Sequence, residues 1–173
     1  RQALAGLLEE AAKDIDDSPT APRAPRLEAL RQELRRRRLH GFIIPKGDEH
    51  QGEYVARHSE RLAWLTGFSG SAGMAVVLRD AAAVFVDGRY TLQAEGEVDG
   101  RLFERRHITS EPATGWIADS AAEKTRIGYD PWLHTPAEVG RLVDACKRAG
   151  ARLVACDSNP IDAVWADQPP PPV

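Results

Sequence analysis

The sequence predicts an α/β fold, a mixed central sheet with helices on both faces. Three observations carry this. Short apolar strands alternate with helical segments along most of the chain, the pattern of helices layered on a central sheet. Two strands, GMAVVLRD and AAAVFVDG, are adjacent and joined tightly around Arg79-Asp80, so the sheet is mixed rather than wholly parallel. And 173 residues, 42% hydrophobic and 28% charged, suffice for one soluble domain with a real core and an appended helix.

Residues 2–15 place Leu4, Leu7, Leu8, Ala11 and Ile15 at helical spacing, with Glu and Lys between them. DDSPTAPRAP then breaks any helix and reads as a linker. A second helix follows in RLEALRQELRRRRL, with Leu27, Leu30, Leu34 and Leu39 on one side. Its run of arginines reads as a solvated face near the C-terminal end, where the helix dipole favours cations. Gly41 is expected to stop this helix, and FIIP to form a short buried strand. Residues 46–60 are polar and irregular. SERLAWLTG predicts a short helix with Ser59 as N-cap. After the strand pair come helix RYTLQAEGE, strand RLFERRHI, helix EPATGWIADSAA, strand RIGYD, helix TPAEVGRLVDACKRAG and strand ARLVACD. QPPPPV closes as a proline-rich linker. The expected organisation is an extension and linker over 1–24, one domain over 25–165, and a linker over 166–173.

Composition narrows the function. A net charge of −3 gives no overall basicity for nucleic acid. The longest apolar run, Ala81 to Val86, falls far short of the roughly 20 residues that cross a bilayer. The acidic, amphipathic N-terminus does not read as a signal peptide, and opening on Arg1 it reads as a fragment or a processed product. Cys146 and Cys156 lack C-x-x-C spacing and are expected to be free buried thiols in a reducing cytoplasm.

GFSGSAG (67–73) invites three readings: a phosphate cradle, a serine nucleophile turn, or a tight turn that lets a sheet pack closely. A P-loop needs a following Lys, and none occurs between Lys46 and Lys124. A dinucleotide fingerprint runs strand, glycines, helix, whereas here the glycines precede a strand. A nucleophile elbow around Ser71 requires glycine at position 69, which is Ser69. The tight-turn reading is left, because Gly67, Gly70 and Gly73 admit positive φ and close backbone approach. The five histidines show no metal-ligand spacing, and the contiguous Asp48, Glu49 and His50 rarely converge on one ion. Carboxylates such as Asp48, Asp80 and Asp87 give no nuclease signature without a basic surface. One feature stands out: Asp87-Gly88-Arg89-Tyr90 directly follows an apolar strand, at the strand end where α/β sheets bind ligands. Arg89 there either pairs with Asp87 or presents a fork to a carboxylate or carbonyl; the residues alone favour pairing.

Taken together, DEHQGEYVARHSERLAWLTGFSGSAGMAVVLRDAAAVFVDGRYTLQA (48–94), IGYDP (127–131) and NPIDAVWADQPPPP (159–172) resemble the N-terminal region of the Xaa-Pro aminopeptidases, the aminopeptidase P family. The resemblance covers about residues 25–172. The chain departs from the pattern at Gly52 and Thr66, where serine is usual, and at Gln168, where arginine precedes proline. Residues 1–24 have no counterpart in it.

The resemblance implies a ribonuclease H-like creatinase/prolidase N-terminal domain that supports oligomerisation and covers the active-site cleft. The enzymes of the family remove an N-terminal residue that precedes proline. Their chemistry is implied to reside in a further "pita-bread" domain, where two aspartates, two glutamates and a histidine hold two metal ions, typically manganese. This chain alone is then expected to hold no catalytic metal and to be inactive. In the same resemblance the arginine of D-G-R-Y is a substrate-binding residue, which moves the expectation for Arg89 from structural pairing to peptide binding, with Glu53 and Tyr54 shaping the same rim. The implied partners are peptides with proline in second position and a second copy in a cytoplasmic homodimer, with neither nucleic acid nor membrane. The competing reading is a stand-alone binding or interaction module whose N-terminal helix docks a partner.

Overall fold

The computed structural model describes residues 23–52 and 54–173. The helix expected over residues 2–15 lies outside them. Six strands form one sheet: β1 (Gly41–Pro45), β2 (Gly73–Leu78), β3 (Ala82–Val86), β4 (Glu104–His107), β5 (Arg126–Tyr129) and β6 (Arg152–Ala155), in the order β4-β3-β2-β1-β5-β6. β2 pairs antiparallel with both β1 and β3, while β3–β4, β1–β5 and β5–β6 are parallel. The sheet is therefore mixed, as the Arg79-Asp80 turn predicts, and Leu78 N–H closes that turn on Ala81 O at 2.7 Å. β2 alone runs against the other five strands, whose carboxyl ends all lie at one end of the sheet.

Helices cover both faces because the central strands are apolar on both. Phe42 and Ile44 of β1 join one core with Leu27, Leu30 and Leu34 of α1 (Ala24–Arg36), Leu62 and Leu65 of α2 (Arg61–Thr66), Ala94 of α3 (Thr91–Glu97) and Ile161 of α6 (Pro160–Val164). Ile43, pointing the other way, joins Ile117 of α4 (Ala113–Ser120) and Leu142 and Cys146 of α5 (Pro136–Ala149). Residues 42–44 are almost fully buried, contributing roughly 2 kcal/mol each by area. Cys146 and Cys156 are both buried and free, as expected.

Several boundaries differ from the sequence reading. Helix α1 ends before Gly41, at Arg36. Arg38 takes a left-handed φ of 61°, its N–H donates to Arg35 O at 3.0 Å, and Leu39 N–H donates to Leu34 O at 2.8 Å. This is a Schellman-type closure, with Leu34 and Leu39 both in the core. Gly41 instead opens β1. The arginine run is also more than a solvated face: the Glu33 carboxylate accepts from Arg36 Nε at 2.8 Å and Arg37 Nε at 2.9 Å, and Arg37 Nη1 reaches Ser158 O at 2.6 Å. Ser59 is not the N-cap of α2. It is buried at the end of the 3-10 turn Arg57–Ser59, and Glu60 holds the cap position without a side-chain bond. Helix α6 has no counterpart among the expected elements, although Asn159 caps it by accepting from Ile161 N–H at 3.0 Å, with Pro160 following.

Candidate functional site

The carboxyl end of the sheet gathers the segments that the sequence singles out. The loop after β1 starts at Lys46, whose N–H donates to Gly73 O at 2.9 Å; GFSGSAG leads into β2; Asp87-Gly88-Arg89-Tyr90 leaves β3. The Asp87 carboxylate shapes the last of these. It accepts from the Arg89 backbone N–H at 3.0 Å, fixing a 3-10 turn over Gly88–Tyr90, and from Arg89 Nε, also at 3.0 Å. The guanidinium lies 5.3 Å from the Tyr90 ring centroid, and the Arg89 side chain is 74% exposed. Both interactions with Arg89, the backbone N–H first, hold the Asp87 carboxyl below its usual range, so it stays ionised as the partner of the guanidinium. Arg89 thus pairs with Asp87 through Nε and still presents its outer nitrogens to solvent, so the two alternatives are compatible.

GFSGSAG is clasped to this turn. Gly67 ends α2 at φ 84°, where a Cβ would lie 2.7 Å from Glu97 O. Phe68 is fully buried, and a Cβ on Gly70 would sit 2.3 Å from its Cζ. The Phe68 ring meets Tyr90 edge-on at 6.0 Å. Ser69 Oγ donates to Glu97 Oε2 at 2.6 Å and accepts from Gln93 Nε2 at 3.0 Å, while Ser71 Oγ hydrogen-bonds the Tyr90 hydroxyl. Ser69 therefore ties the loop to α3 and Ser71 ties it to the turn that carries Arg89, which is the architectural role of the motif.

The remaining predicted residues divide. Tyr54 is 88% exposed on the loop between β1 and Arg57–Ser59, which starts at the same end of the sheet. Glu53 lies outside the described residues. Asp48 is buried and caps its own loop, its Oδ1 accepting from His50 N–H at 3.0 Å. Among the described residues no group of three or more His, Cys, Asp or Glu side chains converges to hold a metal ion.

Sequence reading missed His107, at the carboxyl end of β4 and in register with Val86. Its Nδ1 accepts from Thr109 N–H at 3.2 Å, so the neutral ring carries its proton on Nε2. That nitrogen packs on the Arg89 turn: a Cβ on Gly88 would lie 2.8 Å from it. The signal for His107 is topological, since it ends the strand parallel to β3. Spacing alone does not reveal it.

Comparison with known proteins agrees with this outline. The family model described as Creatinase/Prolidase N-terminal domain matches residues 26–164. Xaa-Pro aminopeptidase 2 of Rattus norvegicus is 34% identical over 168 residues, 92% of this chain and 25% of the relative. An X-prolyl aminopeptidase from Caenorhabditis elegans, described as a cytosolic enzyme with a di-nuclear active site, superposes with a TM-score of 0.80 at 27% identity, over 87% of this chain and 26% of that one. The N-terminal domain of cytoplasmic peptidase PepQ from Mycobacterium tuberculosis H37Rv shares the fold, with a TM-score of 0.62 at 20% identity over 80% of this chain and 97% of that one. This chain spans about a quarter of the rat and nematode proteins. The ordered motifs, the mixed six-stranded sheet and the match over most of its length agree: the chain belongs to the creatinase/prolidase N-terminal domain family.

Proposed function

We propose that this chain is the non-catalytic N-terminal domain of a metal-dependent Xaa-Pro aminopeptidase, a cytoplasmic, homodimeric hydrolase that removes an N-terminal residue preceding proline. In this reading two manganese ions and their ligands belong to a catalytic region outside this chain. The domain covers the cleft of that region and contributes to subunit contacts. Its own part in the reaction is to hold the peptide. The observation that carries this role is the exposed Arg89 guanidinium, pre-oriented by Asp87 and Tyr90 at the carboxyl end of β3. With Nε engaged by Asp87, the outer nitrogens form a fork for a peptide carbonyl or C-terminal carboxylate, and pre-orientation reduces the ordering cost of binding. Glu53 and Tyr54 shape the neighbouring rim.

The test is kinetic, in the full-length enzyme. A hydrogen bond to a charged group contributes about 1.5–3 kcal/mol, so Arg89→Ala should lower kcat/KM for Xaa-Pro peptides by roughly tenfold or more. Arg89→Lys, a point charge without the fork, should restore only part of it. Metal content should be unchanged. Wild-type kinetics in Arg89→Ala would remove Arg89 from the site.

A further inference from the structure

The C-terminal segment is docked on the domain over residues 165–169. Trp165, directly after α6, stacks on Trp64 of α2, with ring centroids 5.6 Å apart and planes 22° from parallel. Three residues on, Gln168 Nε2 donates to His58 O at 2.9 Å and to Asp162 Oδ1 at 2.8 Å. Asp162 is itself fixed: Arg61, 7% exposed, donates to its two oxygens through Nε at 2.7 Å and Nη2 at 3.0 Å. His58 Nδ1 lies 2.7 Å from Pro169 O. A carbonyl only accepts, so that ring nitrogen carries the proton.

These contacts join the exit segment to the turn Arg57–Ser59, on the loop between β1 and α2 that also carries Tyr54. The proline run beyond the anchor is stiff. Pro169 to Pro172 cannot donate backbone hydrogen bonds, and in an extended polyproline conformation four residues span about 12 Å. A stiff rod anchored at its first residue transmits the direction of its anchor.

We propose that His58, Asp162 and Gln168 are positioning residues. They latch residues 165–169 to the loop after β1, and the proline run projects that fixed direction outward. The catalytic region is thereby held in a set orientation to the sheet end that bears Arg89. That last step rests on the proposed function; the latch itself does not.

Two arms separate the claims. In the 173-residue chain, backbone amide relaxation should give Asp167 an order parameter near 0.85, like the strands. The double variant His58→Ala/Gln168→Ala should drop Asp167 below about 0.6 while the strand amides stay unchanged. A wild-type Asp167 already below that level would overturn the latch. In the full-length enzyme, Gln168→Ala should lower kcat by about tenfold, because misplacement far from the chemistry is costly. Its thermal midpoint should not change, and Gln168→Arg, which keeps donors for His58 O and Asp162, should recover the rate. Full activity in Gln168→Ala would overturn the positioning role. A full-length protein that does not cleave Xaa-Pro peptides would instead sink the proposed function, leaving relaxation to decide the latch.

Discussion

Replacing Gly70 by alanine tests whether GFSGSAG is a packed turn or a loose loop. The added methyl would lie 2.3 Å from Phe68 Cζ and 2.9 Å from Cε1, whereas carbon atoms settle at about 3.5–4.0 Å. The ring would have to retreat by more than about 1 Å. It has little room: Phe68 is fully buried, packs against Gly73 as well, and meets Tyr90 edge-on. Overpacking of this kind costs about 1–3 kcal/mol, which for a domain of this size lowers the thermal midpoint by roughly 2–12 °C. Moving the ring also disturbs Tyr90, and with it the Ser71 bond and the platform under Arg89. The assay is thermal and urea unfolding of the wild type, Gly70→Ala, and Gly70→Ala/Phe68→Leu, where the smaller side chain should recover part of the loss. Gly140→Ala is the control. Position 140 is exposed within α5, nothing lies within 4 Å of the added atom, and the substitution should stabilise by roughly 0.5–1 kcal/mol. A Gly70→Ala midpoint within about 1 °C of wild type would refute the packing argument.

His134 should make the domain acid-sensitive. Its side chain is fully buried against Tyr129, its Nδ1 lies 3.4 Å from Glu138 Oε2, and desolvation lowers its pKa although Glu138 and Asp130 oppose the shift. The unfolded chain takes up a proton near pH 6.5 that the folded chain resists, so this contribution to stability is full above that pH and declines as pH falls below it. Urea midpoints from pH 8 to 5 should fall more steeply in wild type than in His134→Phe; parallel curves would contradict this. Burial also pushes the Cys146 thiol up to about 11, and Cys156 upward too. Ellman's reagent should therefore label neither in the native chain and both in denaturant; rapid native labelling would show that the core is open.

The strands are legible in the sequence because each central one is apolar on both faces, and the two-residue turn at Arg79-Asp80 leaves only a hairpin. The end of α1 is not legible, since a Schellman closure with arginine in the left-handed position carries no glycine signal. Ser59 misleads because a serine before a helical pattern resembles a cap, while the chain makes an extra 3-10 turn there and buries the hydroxyl. At the site, the placement of Arg89 at the end of β3 follows from an apolar strand running into a charged turn. The clasp that fixes this turn does not: Ser69 and Glu97 stand 28 residues apart, Ser71 and Tyr90 stand 19 apart, and only the sheet order brings them together. His107 is hidden for the same reason.

The central claim is that this domain positions peptide for chemistry performed by residues it does not contain. Incubating the purified 173-residue chain with an Xaa-Pro peptide, with and without added manganese, tests it directly. The account predicts release of the first residue no faster than in buffer with the same metal. Turnover by the isolated chain at a typical enzymatic rate, about 1 per second or faster, would contradict it.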